Sequence, residues 1–405
     1  MTVVSDLGKD LRTQFPILKP NACYLDNAAT THKPQSVVDA MSHFMTHEYA
    51  TVNRAVYRDA LKSTQKFHDV RTKVQHFIGA RYSEEIIFTR GTTDGINLLA
   101  SSLGQLLLNA GDIILITELE HHSNIVPWQM VAKQYGATLK AVPILPSGEM
   151  NLDAFYEILD SGKVKIFSAA HVSNVLGLKR DIKKIMGMAR DKGAITVVDG
   201  AQAPSHMSID VADIGAHFYL FSSHKMYGPT GLGVLWGELE WLKKIPPYQG
   251  GGDMISEVTI EKTTYQEPPL KFEAGTPSIV EVIGLGAAID FLQAVGIDAI
   301  EKYEKDLFLY LLNEMKEIKW VKIIGDPDER VSILPFIVEG VHSLDLGTFL
   351  GMKGVSIRTG HMCAQPALRA LGYEHICRAS VGLYNTKKDI DMFIKVLKET
   401  VLFLS

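Results

Sequence analysis

The sequence predicts an α/β fold, a mostly parallel sheet flanked by helices, joined to a smaller α+β domain. Three observations carry this. Between about residues 85 and 237, short apolar runs alternate with longer helical patterns: Ile86–Thr89, Ile113–Thr117, 139–144, 164–167, Ile195–Asp199, 218–221 and 232–236. Runs apolar at every position belong to strands covered on both faces, and intervening helices are what parallel connections require. The alternation breaks at 246–276, where Gly250-Gly-Gly252 and Pro268-Pro269 mark irregular chain placed over the surface near the site. Beyond it, two helical patterns lead to strand-like runs at 333–337, 355–358 and 378–383, and a helix from Lys387 closes the chain. The expected division puts 23–289 in the large domain, and 1–22 with 290–405 in the small one.

In order, the chain opens with a segment broken by Pro16 and Pro20, then a short strand, Cys23-Tyr-Leu-Asp-Asn-Ala-Ala29, ending in small residues. Pro34 sits where proline is favoured, in a first helical turn. A further helix is expected over 96–108. The stretch 279–297 is interrupted by Glu281 and Asp290, so it reads as an amphipathic helix and not as a membrane span. With 46% apolar and 21% charged residues, the composition excludes disordered and fibrous classes. A net charge of -5 and no lysine- or arginine-rich run give no reason to expect nucleic acid. Cys23, Cys363 and Cys377 are too few and too scattered for a disulfide framework or a zinc site, and suit a reducing compartment. The first ten residues lack the basic start and apolar segment of a secretory signal, so a cytoplasmic protein with no membrane association is expected.

Ligands of such sheets sit beyond the strand carboxyl ends, and five features fall there. The run 218–221 ends at Ser222-Ser-His-Lys225 and turns through Gly228, Pro229 and Gly231. A lysine held against apolar walls loses hydration as an ammonium, its pKa falls, and the neutral amine can join an aldehyde. A lone loop lysine is ordinarily just solvated; its neighbours give this one weight. One strand earlier, Asp199-Gly-Ala-Gln202 follows Ile195-Thr-Val-Val198. A carboxylate there needs a cationic or hydrogen-bonding partner. A protonated pyridine nitrogen would serve, with Gln202 on the ring's phenolic oxygen; a helix N-cap is the plain alternative. Arg90-Gly-Thr-Thr-Asp-Gly95 lies between a strand and a helix, where glycines admit close approach, helix amides attract phosphate and Thr93 adds a hydroxyl, unless it is an ordinary cap. Glu120-His-His-Ser-Asn124 offers an imidazole that can stack on a flat ring and shuttle a proton; the helical spacing of a zinc site is absent. His171-Val-Ser-Asn174 places the Asn174 amide at another strand end, which on its own suggests only a turn, and Ser222 and His224 are available for phosphate.

Together with Leu25-Asp-Asn-Ala-Ala29, Glu273-Ala-Gly-Thr-Pro277, Arg358-Thr-Gly-His-Met-Cys363 and Arg378-Ala-Ser380, these motifs resemble the pyridoxal phosphate enzymes of the aminotransferase fold (class V, fold type I). Among them the chain is similar to cysteine desulfurases of the SufS/CsdA type, over almost its whole length. The resemblance implies that Lys225 holds pyridoxal 5'-phosphate, Asp199 pairs with the pyridinium, Gln202 meets the phenolate and His121 stacks on the ring. Thr93, Ser222 and His224 would hold the phosphate, with Thr276 arriving from the second subunit of a homodimer. Cys363 becomes the sulfur acceptor and Arg378 the clamp for the substrate carboxylate, assisted by Asn174. The chemistry supports both: a guanidinium fork matches a carboxylate, and a thiolate is the right nucleophile for sulfur. Arg358, five residues before Cys363, joins the substrate set and favours the thiolate. The plain alternative for Cys363 is a buried small hydrophobe; flanking His361, Met362, Gln365 and Pro366 read instead as an exposed loop. Cys23 and Cys377 read as structural, Cys377 pointing to the strand face opposite Arg378.

The implied reaction converts L-cysteine to L-alanine with a persulfide on Cys363. His121 would carry a proton for the departing group, and the sulfur would pass to an acceptor protein of iron–sulfur cluster assembly. Three rivals stand: a selenocysteine lyase using the same constellation, an ordinary aminotransferase with no use for Cys363, and a catalytically silent scaffold that binds a sulfur carrier. The chain departs from the family pattern at Val52-Asn-Arg-Ala-Val-Tyr57. Relatives usually read histidine, arginine, glycine, any residue, histidine there; Arg54 matches, but Asn53, Ala55 and Tyr57 do not, so no acid–base or gating role is carried over. Met362 stands where some relatives have histidine.

Overall fold

The computed structural model describes residues 7–20 and 22–404. Residues 1–6, part of the stretch read for a secretory signal, lie outside the described residues. Within the apolar runs, successive side chains go to opposite layers: Ile113 and Leu115 enter one core cluster, Ile114 and Ile116 another. The runs form one seven-stranded sheet in the order Ile86–Thr89, Gly233–Gly237, Phe218–Ser222, Ile195–Asp199, Val164–Ala170, Ile113–Thr117, Thr138–Val142. Gly233–Gly237 is antiparallel to both neighbours, and the other six strands share one direction. Thr92–Leu107 and Val126–Tyr135 cover one face through Leu99, Leu103 and Trp128. Arg58–Phe77, Ile182–Asp191 and Ile279–Val295 supply Phe67, Met186 and Leu285 to the other. Each such buried side chain contributes roughly 1.5–3 kcal/mol, so both layers fix where the strands end.

The expected amphipathic helix at 279–297 differs from what is found. Ile279–Val295 is buried around most of its circumference, packed on Gln35–His47 and Arg58–Phe77. Gly286 permits this: a Cβ there would lie 2.7 Å from Val70 Cγ2. Its uniform apolarity therefore reflects a helix enclosed by two others, and among the described residues no single helix is long and apolar enough to cross a membrane.

The smaller sheet has the order Val321–Ile323, Ile333–Val338, Ile376–Ser380, Arg358–Gly360, all antiparallel. The single strand expected at 355–358 is split. Val355–Ser356 pairs in parallel with Cys23–Tyr24, and the chain changes partner at Ile357 before Arg358–Gly360 joins Ile376–Ser380. Val355 is thereby anchored in the small core while Arg358 is left exposed at the site's rim. The N-terminal chain threads both cores: Leu11 and Phe15 pack with the large sheet, Cys23 and Leu25 with the small one. The segment 246–276 holds an exposed hairpin, Ile255–Val258 with Thr263–Tyr265. Its end is fastened by Glu273, whose carboxylate accepts from Arg71 Nη1 and Nη2 at 2.7 and 2.8 Å and from the Phe88 N–H at 2.7 Å.

Candidate active site

The carboxyl ends of the parallel strands open into a cavity of about 230 Å³. It is lined by Thr93, His121, Asn174, Asp199, Gln202, Ser222, His224, Lys225, Arg358, Cys363 and Arg378. Of the site residues expected from sequence only Thr276 lies elsewhere, exposed in a separate recess with Arg90 and Tyr248.

Lys225 ends a single helical turn, Ser223–Lys225, that follows strand Phe218–Ser222. That turn is gripped from outside. The His224 carbonyl accepts from the Thr31 N–H and the Thr30 hydroxyl, both at 3.1 Å, and from the Thr31 hydroxyl at 3.2 Å. Burial pushes the Lys225 ammonium down to about 8, with Asp199 pulling the other way and Arg378 adding to the fall. Asp199, at the end of Ile195–Asp199, is pushed up to about 6 by burial, against the Ala201 N–H that its Oδ1 accepts at 3.0 Å. Two groups so shifted within one cleft mark a functional site. Gln202 Nε2 donates to the Ala28 carbonyl at 2.8 Å, and the amide's second hydrogen remains available. His121 Nδ1 accepts the Ser123 N–H at 3.0 Å, which assigns the ring proton to Nε2. Burial, then the Lys225 charge, pushes His121 down to about 3, so its imidazole is neutral.

At the opposite end, the helix expected from residue 96 begins at Thr92. Thr92 and Thr93 therefore occupy its first turn, and Thr92 joins Ser222 through its N–H at 2.9 Å and its hydroxyl at 2.8 Å. Sequence reasoning passed over Thr92, although it stands inside the Arg90–Gly95 motif, because the helix start was placed too late. The hydroxyls of Thr92, Thr93 and Ser222, the His224 ring and a helix amino end make a donor set that fits a phosphate monoester. Gly233 closes this end from below: a Cβ there would lie 2.5–2.8 Å from the Gly91 backbone. Gly233→Ala is expected to cost about 1–3 kcal/mol of stability by overpacking. It should also weaken pyridoxal phosphate retention, read as visible absorbance surviving gel filtration. Retention equal to that of the unsubstituted protein would rule out a phosphate loop at Gly91.

The small sheet delivers Arg378. Its Nη1 donates to the Asn174 carbonyl at 2.7 Å and its Nη2 to Asp26 Oδ1 at 3.3 Å, while its buried Nε has no partner among the described residues. A buried N–H left so is costly, and an anionic acceptor would satisfy it. Arg358 approaches Asp26 Oδ2 at 3.9 Å from the exposed side. Burial still raises the Asp26 carboxyl despite both arginines.

Cys363 and Met362 are consecutive left-handed residues, φ 52° and 53°, an arrangement costing about 1–2 kcal/mol per residue. The expectation of an exposed loop holds for His361, Gln365 and Pro366 but not for Met362. Its side chain is buried with Leu119, Val175 and Leu368, and its carbonyl accepts from Asn174 Nδ2 at 2.8 Å. Cys23 and Cys377 are buried in the small core, and burial pushes the Cys377 thiol up to about 12. Glu120, for which the sequence suggests no role, accepts from Asn124 Nδ2 at 2.7 Å and the Ala170 N–H at 2.9 Å, fastening the His121 turn to the sheet. Asn53, Ala55 and Tyr57 do not line the cavity; Asn53 Oδ1 contacts His68 Nε2 at 3.2 Å and Arg54 pairs with Asp253.

A lysine and an aspartate on adjacent strand ends, a neutral histidine beside them and a phosphate cradle opposite define a pyridoxal phosphate enzyme of fold type I. The Aminotransferase class-V family model matches residues 23–393, and the chain belongs to that family. It is 44% identical over 393 residues to a probable cysteine desulfurase of Mycolicibacterium paratuberculosis, covering 96% of this chain and 57% of that protein. It is 42% identical over 392 residues to a cysteine desulfurase of Cronobacter sakazakii, covering 95% and 96%. This chain thus spans 57% of the mycobacterial relative and nearly all of the enterobacterial one. Among solved structures it is similar to the cysteine desulfurase CsdA (S-sulfonic acid) of Escherichia coli, with TM-score 0.92 and 35% identity over 98% of this chain and 99% of that one. The apo cysteine desulfurase of Thermococcus onnurineus NA1 gives TM-score 0.93 and 35% identity over 98% of each chain.

Proposed function

We propose that this chain converts L-cysteine to L-alanine and leaves the sulfur as a persulfide on Cys363, for delivery to an acceptor protein of iron–sulfur cluster assembly. The observation that carries this reading is the meeting, in one cavity, of the Lys225 amine, the Arg378 guanidinium with its unpartnered Nε–H, and the Cys363 thiol. An enzyme that only moved amino groups would use the first two and leave the third idle.

Bound at Lys225, pyridoxal phosphate supplies an electron sink for the substrate's bonds. Arg378 takes the carboxylate, with Arg358 at the rim. Asn174 sets both partners of the reaction, since its carbonyl holds Arg378 and its amide holds the loop of Cys363. Asp199, in the cavity lining, would pair with the cofactor's ring nitrogen and keep it protonated. His121 presents an Nε2–H to the departing group, and the Lys225 amine, in its neutral form, moves the α-proton. Cys363, as thiolate, attacks the substrate sulfur: the S–S bond forms, the C–S bond breaks with its electron pair going to carbon, and carbon takes up a proton. Thiol and cysteine thereby become persulfide and alanine.

Thr276 we assign to a second copy of the chain, completing the phosphate end in a homodimer. Its exposure, its place in another recess and the Arg71–Glu273 pair that braces its loop support this. The large unit at 23–289 and the small unit of 1–22 with 290–405 remain the proposed division, with the N-terminal chain crossing between cores. Three free cysteines support work in a reducing cytoplasm. The test is to incubate pure protein with L-cysteine and look by mass spectrometry for one added sulfur on the Cys363 peptide. In Cys363→Ala both the persulfide and alanine release are expected to vanish; alanine release at the unsubstituted rate would sink the reading.

A further inference from the structure

Cys363 is held between two imidazoles. His361 Nδ1 accepts the Cys363 N–H at 3.2 Å. On the other side His122 acts twice: its N–H donates to the Cys363 carbonyl at 2.7 Å, and its Nε2 accepts the Gln365 N–H at 3.1 Å. The two rings lie 5.7 Å apart. His122 belongs to the turn His122–Asn124, which Asn124 and Glu120 fasten to the large sheet, so this contact ties the loop of the small unit to the large one.

The loop needs such a tie. Two consecutive left-handed residues relax when released; their first half is anchored by the burial of Met362 and by Asn174, and the chain just beyond them by the burial of Ala364. The second half, running out to exposed Gln365, is closed by His122.

We propose that His122 is a positioning residue whose neutral imidazole, by accepting the Gln365 N–H, holds Cys363 at the cavity wall. Burial, then the neighbouring His361, lowers its pKa, which keeps the accepting lone pair free. Giving up that bond leaves the His122 N–H on the Cys363 carbonyl and loosens the loop at Gln365, the start of the movement by which a sulfur on Cys363 would turn from the cavity towards an acceptor. The inference deepens the desulfurase reading by naming what places its sulfur-bearing residue. Its test uses protein without cofactor or substrate, so either can fail while the other stands.

The experiment is alkylation of Cys363 by iodoacetamide, read by peptide mass spectrometry, in the unsubstituted protein, His122→Leu and His122→Gln. Glutamine carries a carbonyl oxygen close to where Nε2 lies. Loss of one hydrogen bond predicts alkylation about threefold to tenfold faster in His122→Leu. In His122→Gln the rate should stay near that of the unsubstituted protein. Acceleration below about threefold in the leucine variant, or equal acceleration in both, overturns the proposal. A second readout needs no substitution: the Gln365 amide, on an exposed residue, should exchange hydrogen more slowly than an unbonded exposed amide, and exchange at the unprotected rate overturns the brace.

Discussion

Lys225→Ala is expected to give a folded protein with no visible absorbance from pyridoxal phosphate and with L-cysteine turnover lower by at least about 10³-fold. The fold should survive because nothing in the turn depends on the amine: the His224 carbonyl is held by Thr30 and Thr31, and the Tyr227 N–H by the Thr31 hydroxyl at 2.8 Å. The amine itself is a burden to the cofactor-free fold. Its pKa is about 8 in the folded chain against an ordinary 10.5, so folding disfavours the ammonium. Below pH 8 the group is protonated in both states and the penalty is complete; it disappears as pH rises from about 8 towards 10.5. Cofactor-free Lys225→Ala should accordingly be the more stable protein at pH 7, with the difference closing in alkali. The same shift predicts that cofactor uptake by the unsubstituted protein, followed by absorbance, speeds up with pH and levels off above about 8, because only the neutral amine attacks. A flat profile from pH 6 to 9, or full uptake by Lys225→Ala, would show that the cofactor is held by something else.

How much of this could be read from residues alone follows from how far each signal reaches. Lys225 and Asp199 stood out because an apolar run that ends in a charged side chain is local information, and the parallel sheet turns that ending into a position. The helix Ile279–Val295 was misread because enclosure by two other helices through Gly286 is a property of the neighbours, invisible in the segment's own pattern. The split at Ile357 has the same origin: Val355–Ser356 and Arg358–Gly360 obey different partners, Cys23–Tyr24 and Ile376–Ser380, hundreds of residues away or on the other side of the loop. Met362 looked like loop because histidine, glutamine and proline surround it; its burial is decided by Leu119 and Val175, which the large unit supplies. Contacts between the two cores are therefore where reading the chain in order gives least.

Arg378→Met tests that boundary most directly. Its guanidinium is buried, two of its nitrogens are spent on Asn174 and Asp26, Nε–H is buried without a partner among the described residues, and the residue lines the cavity. On the proposed reading a substrate carboxylate would pair with this guanidinium, and its charge would offset that of an arginine whose own pKa burial has lowered. Truncating one partner of such a desolvated pair costs about 2–5 kcal/mol, so kcat/KM for L-cysteine should fall by roughly 30- to 4,000-fold. The loss should sit mainly in KM, because the carboxylate is bound before and during the chemical step alike. Arg378→Lys keeps the charge but not the fork, and is expected to lie between. Cofactor absorbance should be retained in both variants, since Lys225 and Asp199 stand on other elements; that separates lost substrate binding from a collapsed site. A kcat/KM for Arg378→Met within about threefold of the unsubstituted value would mean that the carboxylate binds elsewhere, with Arg358 as the next group to examine.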